Sequence, residues 1–141
     1  MEKALSSENS VNSSTSTSNG FARPAVQWIN SYEDGLALAK EENFPMMIEF
    51  YIKYYPVSES FEKKIFSNSE AADLSTNFIL VKLEFEKNQD IAIKYGVSDL
   101  PALVFTGPDG KNGLSIVGDR NIEDILSTMR KVVKAFGGKG A

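Results

Sequence analysis

The sequence contains no cysteine and no histidine among its 141 residues. Without cysteine, the chain can form no disulfide and offers no thiolate nucleophile. Without histidine, it lacks the usual general base of a serine catalytic triad and the imidazole ligand of many metal sites. We therefore expect no catalytic residue, no metal site and no cofactor in this chain.

The chain also lacks an excess of basic residues and long hydrophobic runs. Its net charge is -4 and its isoelectric point is about 4.9, whereas a nucleic-acid surface needs a concentrated basic face. No apolar run approaches the roughly 20 residues that span a bilayer, and residues 1–5 lack the charged start and apolar stretch of a secretory signal. We expect a monomer with no nucleic-acid partner and no membrane insertion by this chain.

Residues 1–22 differ in composition from the remainder of the chain. They are rich in serine, asparagine and threonine and contain almost no large apolar side chains. Such a segment cannot bury enough surface to offset its ordering entropy. We predict a disordered tail or tether over 1–22, one domain over 23–137 and a flexible C-terminal tail over 138–141. A binding role for the first segment stays open beside an inert linker.

Local patterns predict alternating strands and helices in the domain. Ser31 offers a helix N-cap with Asp34 three residues later, and Pro56 suits the first turn of a second helix. The predicted strands are 26–29, 46–51, 78–85, 102–105 and 114–117. The predicted helices run from Ser31 to about 42, from Pro56 onward, from Ser69 to 74, from 88 to 95, and from Asn121 to before Gly137. The last helix carries an apolar stripe made of Ile122, Ile125, Leu126, Met129, Val133 and Phe136.

The order of these elements predicts an α/β fold. Strands separated by helices pair in parallel with right-handed crossovers. The last two strands are joined by a turn at Pro108-Asp109-Gly110, so they pair antiparallel. The result is a mixed central sheet of four to five strands with helices on both faces.

This arrangement resembles the thioredoxin-like superfamily over about residues 26–136. Glu49-Phe50 resembles the acid and phenylalanine of the family's central strand, and Val81-Lys82-Leu83 resembles the strand that carries its lysine. Segment 95–103 resembles the one that ends in a cis-proline before the next strand, which implies a structural cis-proline at Pro101. Gly118 resembles the glycine that opens the final helix region. The shared order and spacing imply a thioredoxin-like fold.

The chain departs from the family at the turn that follows the central strand. The resemblance places Tyr54 at an aromatic position of the family, and Tyr55 and Ser58 at the two cysteine positions of the Cys-x-x-Cys motif. The family's reaction is attack of a thiolate on a disulfide. Tyrosine has a pKa near 10 and serine a higher one, and neither forms a reducible bond to sulfur. The resemblance therefore implies the fold and, at these two degenerate positions, the loss of the reaction.

The resemblance also implies a peptide-binding surface. In the family's geometry the turn and the proline loop are neighbours, and a partner peptide can lie there as an added strand. The implied binding residues are Tyr54, Tyr55, Pro56, Val57, Leu100 and Pro101. Adjacent tyrosines suit such a surface because their rings are apolar and their tips polar, although simple packing would also explain them.

Glu49 and Lys82 are candidates for a buried ion pair, with two separately solvated charges as the alternative. If Glu49 is buried without a partner, its pKa should be raised.

Three functions remain open from the sequence. The first is a redox-inactive thioredoxin-like domain that binds or scaffolds an unidentified protein or peptide. The second is a thiol–disulfide oxidoreductase whose cysteines are replaced at Tyr55 and Ser58, although tyrosine adds much volume for a designed replacement. The third is another enzyme, such as a hydrolase that uses Ser58, for which no base converges. The serine-rich segment favours an exported, periplasmic protein whose signal has been removed, and a cytoplasmic location is the alternative.

Overall fold

The computed structural model describes residues 27–136, which form a four-stranded sheet between two layers of helices. The strands are β1 (Met46–Tyr51), β2 (Ile79–Glu84), β3 (Ala102–Thr106) and β4 (Leu114–Val117). The helices are α1 (Tyr32–Glu42), α2 (Pro56–Phe66), α3 (Ser69–Ser75), α4 (Gln89–Lys94) and α5 (Ile122–Phe136). A short 3-10 helix, Phe85–Lys87, follows β2. The predicted tails at 1–22 and 138–141 and the helix stop at Gly137 lie outside the described residues and stay predictions.

The sheet has the strand order β2-β1-β3-β4. Strand β1 pairs in parallel with β2 and antiparallel with β3, and β3 pairs antiparallel with β4. The prediction of a mixed sheet is thus confirmed. Of the predicted first strand at 26–29, residue 26 lies outside the described residues, and residues 27–29 contribute one parallel bridge, between Ile29 and Val81. Central strand β1 is buried from Met46 to Phe50 because helices cover both faces, as its continuous apolar run indicated.

Two hydrophobic clusters fill the space on either side of the sheet. Helices α2, α3 and α5 bury Phe61, Ala71 and Ile125 against one face. Helices α1 and α4 bury Ala39 and Ala92 against the other. Each face therefore has its own core, which is the layered arrangement predicted for alternating strands and helices. No helix within residues 27–136 is both long enough and apolar enough to cross a membrane.

Helix starts follow the capping chemistry of the sequence, with one correction. The hydroxyl of Ser31 accepts a hydrogen bond from the backbone N–H of Asp34 at 3.2 Å, and Pro56 is the first residue of α2. The predicted cap of α3 at Ser69 is wrong, because Asn68 accepts from the N–H of Ala71 at 2.9 Å. Asparagine and serine are both good N-caps, so the sequence offered two adjacent candidates, and the backbone conformation decided between them.

Two further sequence predictions need correction. The predicted strand 78–85 is shorter at both ends, because its pairing partner β1 extends only from Met46, opposite Ile79, to Tyr51, opposite Glu84. The apolar stripe predicted for α5 omits Val132, which is buried and 3% exposed. The face of α5 that packs on the sheet is therefore wider than the predicted row of side chains.

A hydrogen-bonded tyrosine pair joins α1 to the turn before β4. The hydroxyl oxygens of Tyr32 and Tyr95 are 2.6 Å apart, and the Tyr95 hydroxyl donates to the carbonyl of Gly110 at 2.7 Å. Because Tyr95 gives its proton to Gly110, Tyr32 is the donor between the two rings. Gly110 has φ +79, and a Cβ there would lie 2.9 Å from Leu36. This turn therefore requires glycine for both its conformation and its packing.

Candidate functional site

The turn predicted to bind a partner lies at the C-terminal end of central strand β1. Strand β1 ends at Tyr51 and α2 begins at Pro56, with the N–H of Tyr55 donating to the carbonyl of Ile52 at 3.1 Å. Tyr54 has φ +66, and its side chain is 92% exposed. A left-handed conformation at a non-glycine residue costs roughly 1–2 kcal/mol. The turn therefore holds an aromatic ring in solvent at a backbone position that glycine would fill more easily.

The proline loop lies at the same end of the sheet as this turn. The peptide bond between Leu100 and Pro101 is cis. Phe50 lies opposite Ala102 in the β1–β3 register, so Pro101 precedes β3 beside the end of β1. The N–H of Gly118 donates to the carbonyl of Pro101 at 2.8 Å, which ties the loop to the residue that follows β4.

A groove with a volume of about 910 Å³ lies between the turn, α2 and the end of β2. The residues that line it are Tyr51, Ile52, Lys53, Tyr54, Tyr55, Pro56, Ser58, Glu59, Glu62, Lys63, Phe66 and Lys82. Among the residues predicted for peptide binding, the groove includes the first three of the turn and leaves out Val57, Leu100 and Pro101. Since β2 and β3 flank β1 on opposite sides, the groove lies on the β2 side and the proline loop on the β3 side.

Two polar side chains at this end of the molecule are buried without hydrogen bonds. Glu49 is 1% exposed and Ser58 is 5% exposed. Neither carboxylate oxygen of Glu49 nor the hydroxyl of Ser58 has a partner among residues 27–136. The pKa of Glu49 is raised to about 8, mainly by burial and to a smaller extent by the charge of Glu62, while the charge of Lys82 opposes the rise. A carboxyl group buried without a partner keeps its proton because the charged form loses its hydration.

The buried pair between Glu49 and Lys82 does not form. The two residues are aligned in the parallel register of β1 and β2, but the ammonium of Lys82 donates to Glu62 on α2 at 2.8 Å. Partial burial alone would lower the pKa of Lys82, but the hydrogen bond and charge of Glu62 outweigh it and the pKa is raised. The ammonium stays at the rim of the groove, where it loses less hydration than beside Glu49.

Aromatic rings also hold Lys82 at the rim. Its Nζ lies 5.1 Å from the ring centroid of Tyr51 and 5.8 Å from that of Trp28. Sequence reasoning missed Glu62 and Trp28 as neighbours of this lysine. No local spacing indicated them, because one residue comes from α2 and the other from the segment before α1.

The arrangement offers no activated nucleophile and no metal site in the described part of the chain. The hydroxyl of Ser58 is bonded to no base, so it lacks the partner that nucleophilic catalysis requires. Residues 27–136 contain no group of three or more acidic side chains placed to hold a metal ion. The groove is lined by aromatic side chains and by a few charged ones.

The chain is similar in sequence to a family model and to several known proteins. The family model described as Thioredoxin-like matches residues 27–108. Anterior gradient protein 1 of Xenopus laevis is 28% identical over 88 residues, which are 60% of this chain and 46% of that protein. Anterior gradient protein 2 homolog of Homo sapiens is 28% identical over 81 residues, which are 57% of this chain and 46% of that protein.

A plant protein and two solved structures extend the comparison. Protein disulfide isomerase-like 2-2 of Oryza sativa subsp. japonica is 26% identical over 90 residues, or 64% of this chain and 24% of that protein. The chain thus spans less than half the length of these curated relatives. A thioredoxin from Thermus thermophilus has a TM-score of 0.67 at 22% identity, over 81% of this chain and 92% of that one.

The structure titled DsbH Oxidoreductase gives a similar result, with a TM-score of 0.66 at 20% identity over 84% of this chain and 92% of that one. At such identities the two structures show the fold alone, and the predicted fold class is confirmed.

Proposed function

This chain belongs to the thioredoxin-like family and lacks the Cys-x-x-Cys motif, and we propose that it is a redox-inactive member that binds a protein or peptide partner. The observation that carries the proposal is the absence of cysteine, since thiol–disulfide exchange proceeds through a thiolate and a mixed disulfide. The proposed contact surface is the turn Tyr54–Ser58 together with the loop at Leu100 and Pro101.

The two tyrosines support a binding role because they remain in solvent. Tyr54 is 92% exposed and Tyr55 is 46% exposed. Neighbouring exposed aromatic side chains are typical of interfaces, where they supply contact area at a small loss of side-chain entropy. The loop at Pro101 lies at the same end of the sheet, where an extended peptide can add backbone hydrogen bonds beside β3.

A partner captured from the native host tests the binding role. The full chain is immobilised as wild type, as a Tyr54→Ala/Tyr55→Ala variant, and as an Ile93→Ala control. Ile93 is 77% exposed on α4, so its truncation removes an exposed apolar side chain away from the turn. We expect a partner that the wild type and the control retain and that the double variant loses. Equal capture by all three proteins would remove the turn from the proposal.

An insulin reduction assay tests the absence of redox activity. With dithiothreitol as the reductant, we expect the wild-type chain to reduce insulin disulfides no faster than buffer. A dithiol thioredoxin serves as the positive control. Catalysis by the wild-type protein would refute the proposal outright.

The second candidate function is a thiol–disulfide oxidoreductase whose cysteines are replaced at Tyr55 and Ser58. One observation favours it: the hydroxyl of Ser58 is buried without a partner, and Glu49 is a buried carboxyl with a raised pKa. The resemblance implies a proton-transfer role for such an acid. The natural coding sequence decides this question, because cysteine codons at 55 and 58 would establish the second candidate. A Tyr55→Cys/Ser58→Cys variant that reduces insulin would show that the scaffold still supports the reaction.

A further inference from the structure

The groove between α2 and the end of β2 is a locally basic region of an acidic protein. Three lysines and two glutamates line it, whereas the whole chain has a net charge of -4. The lysines are Lys53, Lys63 and Lys82, and the glutamates are Glu59 and Glu62. Complementarity in sign selects partners at such surfaces more strongly than it raises overall affinity.

A positively charged partner group is disfavoured at Glu62, because Lys82 already occupies the position that would attract it. Lys82 bonds Glu62 at 2.8 Å and lies over the ring of Tyr51. An incoming cation would have to displace this ammonium from both its carboxylate and its aromatic neighbours. Lys53 and Lys63, in contrast, form no ion pair with a carboxylate in the described residues. Glu59 is in no such pair either, so the unpaired charges on the lining are those of two lysines and one glutamate, with a net charge of +1.

Aromatic side chains form part of the groove lining, whereas the hydroxyl of Ser58 is buried behind it with no partner within residues 27–136. The rings of Tyr51, Tyr55 and Phe66 lie on the same lining and suit an apolar or aromatic side chain.

We propose that this groove binds an extended peptide segment in which acidic residues alternate with aromatic or apolar ones. This inference rests on the proposed function, and it adds the class of partner and a surface on the β2 side of the turn. A partner carboxylate lies near the ammonium groups of Lys53 and Lys63. An aromatic side chain of the partner packs against Tyr55 and Phe66 on the groove lining.

Three labelled peptides test the preference for negative charge. Their sequences are Glu-Phe-Glu-Phe-Glu, Gln-Phe-Gln-Phe-Gln and Lys-Phe-Lys-Phe-Lys, all with blocked ends, and binding to the full chain is measured by fluorescence anisotropy. We expect the acidic peptide to bind at least about tenfold more tightly than the basic one. The advantage should shrink as salt rises from about 0.05 to 0.5 M, because exposed charges are screened. Equal or tighter binding of the basic peptide overturns the proposal, as does binding of none of the three.

A pair of charge-reversal variants locates the site. Lys53→Glu/Lys63→Glu changes two exposed groove residues, and Lys131→Glu/Lys134→Glu makes the same charge change on exposed residues of α5. We expect the groove variant to bind the acidic peptide about tenfold more weakly and the control to bind like the wild type. Equal weakening by both variants would show an effect of net charge alone and would overturn the site.

A Leu100→Ala variant separates this inference from the proposed function. If it weakens binding of all three peptides while the groove variant changes nothing, binding takes place at the proline loop. The proposed function then stands and the basic groove is rejected. If the turn variant and the loop variant both still capture the partner from the host, the proposed function fails as well.

Discussion

Two regions of this molecule bury polar side chains among aromatic rings, and only one of them satisfies their hydrogen bonds. In the tyrosine pair, Tyr32 donates to Tyr95 and Tyr95 donates to Gly110. Burial raises the pKa of Tyr95 well above its usual value. On either side of the turn after β1, Glu49 of β1 and Ser58 of α2 are buried with no partner in the described structure.

The tyrosine pair stabilises the fold, whereas the burial of Glu49 and Ser58 cannot be explained by a gain in stability. Each unsatisfied buried polar group costs about 1–3 kcal/mol, and the left-handed backbone at Tyr54 adds to this cost. These costs all fall within residues 49–58, next to the proposed binding surface. Natural proteins commonly accept such costs at functional sites, where stability and function compete.

The largest effect should come from the ionisation of Glu49. Its pKa is about 8 in the folded protein, against an ordinary value of 4.5, so the folded state holds the proton more tightly. The contribution of Glu49 to stability should be fully present below about pH 4.5 and should be lost as pH rises to about 8. Because each pKa unit is worth about 1.4 kcal/mol, the loss is on the order of 5 kcal/mol.

Urea denaturation at acidic, neutral and alkaline pH measures this loss in wild type and in Glu49→Gln. Glutamine has nearly the same shape and no charge, so the variant should lack most of the decline over this pH range. If the two stability curves remain parallel from pH 4.5 to 8, Glu49 is not the group responsible.

A smaller effect should follow from opening the tyrosine pair. Tyr95→Phe removes the acceptor of Tyr32 and the donor to Gly110, and we expect a loss of about 2 kcal/mol in unfolding free energy. Chemical denaturation of the two proteins measures it. A variant as stable as the wild type would mean that the pair contributes nothing, and the contrast between the two regions would disappear.

Two buried serines provide a matched test of the same contrast. Ser58 is 5% exposed and unpartnered, while Ser75 is 6% exposed and donates to the carbonyl of Ala72 at 2.7 Å. We expect Ser75→Ala to lose about 1 kcal/mol, and Ser58→Ala to lose nothing or to gain up to about 1 kcal/mol. Thermal melts of both variants decide the point. A larger loss at Ser58 than at Ser75 would show that its hydroxyl has a stabilising partner.

The smallest effect concerns the backbone at Tyr54. Glycine adopts a positive φ without strain, so Tyr54→Gly should be more stable than Tyr54→Ala by about 1 kcal/mol and no less stable than the wild type. The side chain is 92% exposed, so its removal sacrifices little burial. Alanine more stable than glycine in thermal melts would argue that this turn relaxes away from φ +66 in solution.

Much of the fold could be predicted from local sequence. The bounds of β1 and β4, the start of α2 at Pro56 and the cap at Ser31 all match the structure. These features depend on periodicity and on contacts within a few residues, and such signals can be recognised without knowledge of the fold. The correct outline of the sheet followed from the order of strands and helices.

Less of the candidate site could be predicted. The turn Tyr54–Ser58 and Pro101 stood out in the sequence, and the structure brings both to the same end of the sheet. The choice of Glu62 as the partner of Lys82 could not be anticipated, because 20 residues separate them. The side of β1 on which the groove opens could not be anticipated either, since it depends on how α2 lies against the end of β2.

By itself the sequence determined that thiol chemistry is absent, since no arrangement of this chain can supply a sulfur nucleophile. It also determined most element boundaries, because these depend on neighbouring residues. Only the tertiary structure decided that Glu49 and Ser58 are buried without partners among residues 27–136, and that Tyr32 meets Tyr95 across 63 residues of chain. Burial and pairing of this kind arise from packing between distant segments, and local propensity carries no information about which segments meet.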